Sequence, residues 1–177
     1  DFDVASLPQQ SRMYASDGSL IATFYSQNRV VVPIKDVSEY MQKAIVARED
    51  RRFFEHSGVD VQGVMRAFIQ TYVLKRDMQG GSSLTQQYVK NVLLMQAIED
   101  NDSIAQYHAT EDTVARKIRE MLISVQMEKK YTKAEILQGY LNIAQFGSNL
   151  YGVETAAQRY FSVSAADLNA VQAATIA

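Results

Sequence analysis

The chain opens on a strand-like pattern. "SRMYA" and "LIATFY" flank "SDGS", and Asp-Gly between apolar runs signals a β-hairpin. "RVVVPI" is a third β-like run, with Pro33 marking an edge or a strand end. Beyond Pro33 the period changes from strand to helix. Asp36 and Glu39 have capping-box spacing, which predicts a helix through "SEYMQKAIVARE". Val61, Val64, Met65, Phe68, Ile69 and Tyr72 then recur on one helical face, a wide apolar stripe. "MQGGSS" breaks that stripe. Ser83 with Gln86 fits a second capping box and opens "LTQQYVKNVLLM". "EDNDSIAQYHATED" is acidic and aperiodic and reads as a loop. "TVARKIREMLISVQMEKKY" is an amphipathic helix, and "KAEILQGYLN", "VETAAQRYF" and "AADLNAVQAATIA" are shorter ones. The prediction is a mainly α chain with a short N-terminal β-hairpin.

Two helices carry polar residues at revealing positions. At about 100° per residue, Val114, Ile118, Met121, Leu122 and Val125 share the face expected to be buried. Thr113, Arg116, Lys117, Glu120 and Ser124 share the opposite one. Arg116 precedes Glu120, the less favourable order for a surface pair. On the helix after Gly80 and Gly81, Leu84, Tyr88, Val92 and Met95 share the apolar side; Ser83, Gln87 and Lys90 form a polar line. Its amino terminus is either an ordinary Ser cap or a seat for an anion such as phosphate, with Lys90 as a point charge.

Composition narrows the classes. The chain has 177 residues, 47% of them hydrophobic, enough for a real core. A net charge of -2 gives no basic field for nucleic acid. There is no cysteine, hence no disulfide framework or thiolate zinc site, and two histidines do not make a histidine-rich metal site. No run approaches the roughly 18 apolar residues of a membrane span. The chain starts at Asp1 and stops inside an apolar helical pattern, so it is read as a segment of something longer.

The candidate chemistry centres on "AREDRRFFEHSG". Glu49 falls at the carboxyl end of a predicted helix, beside Phe53 and Phe54. The helix dipole and desolvation there both favour a carboxylate that accepts a proton. Arg48, Arg51 and Arg52 act the other way, and a surface ion-pair cluster is the competing reading. The stripe from Val61 to Tyr72 is either a core helix or, with Arg66, Lys75 and Arg76 on its flanks, one that lies in a membrane interface.

These residues carry a family likeness. "EDRRFFEHSGVD" resembles the first motif, E-D-x-x-F-x-x-H-x-G, of the peptidoglycan glycosyltransferases of glycosyltransferase family 51. That is the transglycosylase domain of class A penicillin-binding proteins. "GGSSLTQQYVKN" resembles their second motif, "RKIRE" the third, "KAEILQGYLN" the fourth and "FGSNLYGVETAAQRYF" the fifth. The resemblance implies a lysozyme-like two-lobed domain, a large head and a small membrane-facing jaw at about 59–80. Residues 1–35 would be an N-terminal β linker and 36–177 the glycosyltransferase domain, truncated at its carboxyl end.

The activity implied is polymerisation of lipid II into β-1,4-linked glycan strands, with release of undecaprenyl diphosphate. By resemblance Glu49 is the general base, and Glu120, with Arg116 and Lys117, assists departure of the diphosphate. Asp50, Phe53, His56, Ser83, Gln87, Lys90 and Asn142 would bind or brace substrate. Glu120 is also the residue that would hold a divalent cation, Mg or Mn; no organic cofactor is implied. Implied partners are lipid II and the growing strand, the membrane surface through the 61–76 helix, the inhibitor moenomycin and a fused transpeptidase domain. The implied location is the extracytoplasmic face of a bacterial membrane. The sequence departs from the family pattern at Ser83, where threonine is usual, and at Gln138 and Gly139. The gap between the second and third motifs is also longer than usual. A lysozyme-type hydrolase and a non-catalytic binder of lipid-linked precursor are the alternatives. The hydrolase would have no diphosphate to hold and no use for Arg116, Lys117 and Lys90.

Overall fold

A computed structural model describes residues 11–16, 18–24, 29–68 and 81–177. The predicted hairpin is present: β1 (Ser11–Tyr14) pairs antiparallel with β2 (Leu20–Phe24). Gly18 in the connection has φ +83°, a conformation that favours glycine. The helices are α1 (Glu39–Glu49), α2 (Val61–Phe68), α3 (Leu84–Glu99), α4 (Ser103–Thr110), α5 (Val114–Lys130) and α6 (Lys133–Ile143). After β3 (Gln145–Gly147) and β4 (Leu150–Tyr151), an antiparallel pair, come α7 (Val153–Phe161) and α8 (Ala170–Ile176). The described residues are thus mainly helical, as the periodicity predicts.

The chain divides into two compact units, 1–44 with 141–177, and 45–140. In the first, Val37, Met41, Leu141, Ile143, Val153, Ala156, Leu168 and Ala173 form the core. "RVVVPI" is not a strand there. Its backbone pairs with side chains instead of a ladder: Val32 donates to Asn142 Oδ1 (2.9 Å), and Asn142 Nδ2 donates to the Val32 carbonyl (2.8 Å). Val30 N–H donates to Thr155 Oγ1 (3.2 Å). The expected start of α1 also moves. Ile34–Asp36 is a short 3₁₀ turn, and Ser38 precedes the helix, accepting from the Tyr40 N–H (3.2 Å) and donating to the Leu168 carbonyl (2.6 Å). A residue that caps and also ties down a distant loop outcompetes one with capping spacing alone.

In the second unit α3 packs against both α4 and α5. Leu84, Tyr88, Val92 and Met95 of α3 are buried, as the stripe predicts, and so are Val89 of α3 and Ile45, Phe53, Met127, Ile136 and Leu137. The acidic stretch is a helix and not a loop. Asp102 caps α4, its Oδ1 accepting from Ile104 N–H (3.0 Å) and Ala105 N–H (2.9 Å), and Ala109 is buried. Acidity that looks like disorder here serves a helix start. Of the predicted interfacial helix, 61–68 is helical, while 69–80 lies outside the described residues.

The largest correction concerns α5. Its polar line faces inward: Arg116, Glu120 and Ser124 are buried. Val114, Ile118 and Leu122, expected in the core, are 76%, 52% and 64% exposed. An amphipathic pattern fixes which residues share a face, but not which face has a partner. The inward line is stable because its charges are compensated within the unit.

Candidate active site

Glu49 ends α1, half-buried, and its Oε2 accepts a hydrogen bond from Gln87 Nε2 (2.7 Å). Gln87 sits one turn into α3, and its Oε1 accepts from the Tyr140 hydroxyl (3.3 Å) on α6. Both ends of the amide are therefore engaged, which fixes its orientation toward the carboxylate. Burial, and then the charge of Glu49, push the Tyr140 hydroxyl well above its ordinary value of 10.0, so it stays a donor. Two of the three neighbouring arginines are directed elsewhere. Arg52 binds Glu55 (3.0 Å) and Asp60 (3.1 Å), while Arg51 donates to the Ala47 carbonyl (3.3 Å). The competing surface-cluster reading thus fits Arg52 and Glu55 but not Glu49.

Asp50, the next residue, is buried and works inside the protein. Its Oδ2 accepts from the Leu84 N–H (2.9 Å) at the start of α3 and meets His56 Nε2 at 2.8 Å. A carboxylate thereby occupies the positive end of α3, the place the sequence offered to phosphate. Ser83 completes the predicted capping box with Gln86, and its hydroxyl donates to the Gly58 carbonyl (2.6 Å). That proton is spent within the protein, so the Ser83 hydroxyl joins the first two motifs and is not presented to a ligand. Gly58 has φ +85°, and a Cβ there would lie 2.7 Å from the Ser124 backbone of α5. Phe53 is fully buried in the core, with the Lys133 ammonium 4.4 Å from its ring centroid.

The second carboxylate, Glu120, is 2% exposed. Arg116 Nη1 bonds its Oε1, and Lys117 Nζ lies 3.5 Å from its Oε2. The disfavoured surface order of Arg116 and Glu120 does not apply to a buried pair shared with a second cation. Lys117 Nζ also donates to Ser82 Oγ (2.8 Å) and keeps a side chain 40% exposed. Lys90 is half-buried on α3. Asn142 lies in the other unit, buried, bracing the extended segment at Val32.

Tyr140, Ser82 and Glu128 were not singled out by sequence reasoning. Glu128 continues the buried polar line of α5, accepting from Thr85 Oγ1 and pairing with Lys133 Nζ at 2.7 Å. The signal was available: Arg116, Glu120, Ser124 and Glu128 recur every four positions.

The fold and this site define a helical domain that presents one accessible carboxylate and holds a second among cations. Residues 17–177 match the family described as Transglycosylase. The chain belongs to that family, the transglycosylase domains of class A penicillin-binding proteins. It is 38% identical over 173 residues to Penicillin-binding protein 1A of Rickettsia prowazekii (strain Madrid E), covering 96% of this chain and 20% of that protein. It is 40% identical over 164 residues to Penicillin-binding protein 4 of Bacillus subtilis (strain 168), covering 92% and 24%. Penicillin-binding protein 1A of Aquifex aeolicus (strain VF5) is 38% identical over 170 residues, covering 96% and 22%. The chain therefore spans about a fifth to a quarter of the length of these relatives.

Proposed function

We propose that this chain is a peptidoglycan glycosyltransferase that polymerises lipid II. The observation that carries the reading is the pairing of roles: Glu49 is accessible and oriented by Gln87, while Glu120 is buried and neutralised by Arg116 and Lys117. A sugar hydroxyl is a weak nucleophile and needs a base. Glu49 takes the proton of the acceptor's 4-hydroxyl as that oxygen attacks C1 of the growing strand's terminal sugar. The C1–O bond to undecaprenyl diphosphate breaks, and the configuration inverts. Charge building on the diphosphate needs cations, and Lys117 on α5 and Lys90 on α3 are partly exposed ones that could supply it. Arg116 acts through Glu120, which in turn steadies Lys117. Moenomycin is expected to compete on this donor side.

The donor set does not fit a protein-held divalent ion. Glu120 is already taken up by two cations, and no group of three His, Cys, Asp or Glu gathers among the described residues. No step is routed through a metal.

We place the reaction at the extracytoplasmic membrane face. Among the described residues no helix is long and apolar enough to cross a membrane. α2 carries exposed Val61 and Met65, and α5 exposed Val114, Ile118 and Leu122, faces suited to lying in a lipid interface. The test is a lipid II polymerisation assay. Wild type forms glycan strands, and Glu49→Gln lowers the rate about 10²–10⁴-fold, the range of a lost general base. An unimpaired Glu49→Gln rules out that assignment, and release of soluble muropeptides from finished wall would favour a hydrolase.

A further inference from the structure

Gly139 stands inside α6, where glycine is a worse helix former than alanine. Its backbone does not call for glycine. Among the described residues, positive φ at glycine falls on Gly18, Gly58 and Gly152, while Gly139 lies in regular helix. What it supplies is space. A Cβ at Gly139 would lie 2.5 Å from Tyr88 Cζ, and closer still to the Tyr88 hydroxyl oxygen. The bare Cα of α6 is therefore the seat for the far end of the Tyr88 ring. Tyr88 belongs to α3 and is 4% exposed, so its rigid ring is a stiff spacer held in a filled core.

Each half of this contact adjoins a residue of the site. Tyr88 follows Gln87 on α3, and Gly139 precedes Tyr140 on α6; all four lie in the second unit with Glu49. The Tyr140 hydroxyl reaches Gln87 Oε1 at 3.3 Å. That is long for an O–H···O bond, whose usual length is about 2.7–2.8 Å, so the bond has little slack. Relieving a methyl at Gly139 to ordinary carbon contact, about 3.5 Å from the ring, needs a recoil of about 1 Å. The Tyr140–Gln87 bond does not survive a recoil of that size. The Tyr88–Gly139 contact thus sets the α3–α6 distance at which Gln87 is held toward Glu49.

We propose that Tyr88 and Gly139 are positioning residues for the general base, a spacer and its seat that keep Tyr140, Gln87 and Glu49 in register. The inference rests on the glycosyltransferase reading for what Glu49 does; the spacing itself is independent of it.

The test combines lipid II polymerisation kinetics of the 177-residue chain with ¹⁵N NMR of the Gln87 side-chain amide, assigned by its loss in Gln87→Glu. Gly139→Ala lowers kcat about 3–10-fold, as for the loss of one neutral hydrogen bond, with KM little changed. Gly139→Ala combined with Tyr140→Phe loses no more than Tyr140→Phe alone, because both act on the same bond. Tyr88→Met places a yielding end on the seat, and paired with Gly139→Ala it restores most of the lost kcat. The Gln87 amide resonance in Gly139→Ala moves to the position it takes in Tyr140→Phe. Tyr88→Leu shortens the spacer without adding an atom. It gives the same loss, and it decides the question should Gly139→Ala fail to fold. Wild-type kcat in Gly139→Ala with an unmoved Gln87 amide overturns the inference. Losses that multiply when Gly139→Ala is joined to Tyr140→Phe overturn it as well, as does a lack of recovery with Tyr88→Met. If wild type forms no strands, the glycosyltransferase reading falls, and the amide resonance alone decides the spacing: moved in Gly139→Ala it stands, unmoved it does not.

Discussion

Gln87 shows how one side chain links two others of unlike chemistry. Its amide donates to Glu49 and accepts from Tyr140. Removing the Tyr140 hydroxyl leaves the amide free to turn, so Tyr140→Phe is expected to lower kcat for lipid II about 3–10-fold with little change in KM. A neutral hydrogen bond contributes about 1 kcal/mol, so the fold should survive. The pH effect has a definite sign. The folded-state value of Tyr140 is raised, so its contribution to stability is full below its ordinary value of 10.0 and is lost as pH rises beyond that. Between the unfolded and folded values only the unfolded state releases this proton, and stability falls by about 1.4 kcal/mol per pH unit. Urea titrations of wild type and Tyr140→Phe between neutral pH and about pH 11 should show a shallower alkaline decline in the variant. Parallel declines would remove Tyr140 from the account.

At the scale of elements, the join between the first motif, α3 and α5 is closely determined. Gly58 offers its carbonyl to Ser83 and its bare Cα to the α5 backbone. Gly58→Ala puts a methyl into that backbone at positive φ, and neither partner is a flexible side-chain tip. Thermal denaturation should show a loss of at least 2 kcal/mol. Ser83→Ala should cost about 1–2 kcal/mol for the cap and its bond to Gly58, and Ser83→Thr should be near neutral if the hydroxyl alone matters. Much of this was legible in the sequence. The Ser83–Gln86 box, the end of α1 at Glu49 and the start of α5 at Thr113 and Val114 all stand where spacing put them. What was not legible depended on distant partners. Asn142 and Thr155 replace a strand ladder at Val30 and Val32, Asp50 fills the end of α3, and a fully compensated polar line turns α5 over. Local pattern carries no information about which face a remote residue will meet.

For the molecule as a whole, the turned α5 matters most at its surface. Val114, Ile118 and Leu122 stand one above another on the outer side, and α2 adds Val61 and Met65 in the same unit. Exposed apolar side chains scattered singly need no explanation, but a contiguous row does. On the proposed reading, a substrate with a polyprenyl tail would come from a bilayer, and a domain that lies in the interface would meet it there without extracting it. Burying one such side chain contributes about 1.5–3 kcal/mol, so a double change of Ile118 and Leu122 to serine should weaken vesicle binding by well over ten-fold. Because both side chains are already in water, melting should shift little, within about 0.5 kcal/mol per site. Flotation of the 177-residue chain with phosphatidylglycerol-containing vesicles measures the first, and calorimetry the second. The double variant should also lose polymerisation on vesicle-borne lipid II while keeping it on lipid II dispersed in detergent. Unchanged flotation would mean that the α5 row faces something other than lipid, and an equal loss of activity in detergent would place its effect in the site itself.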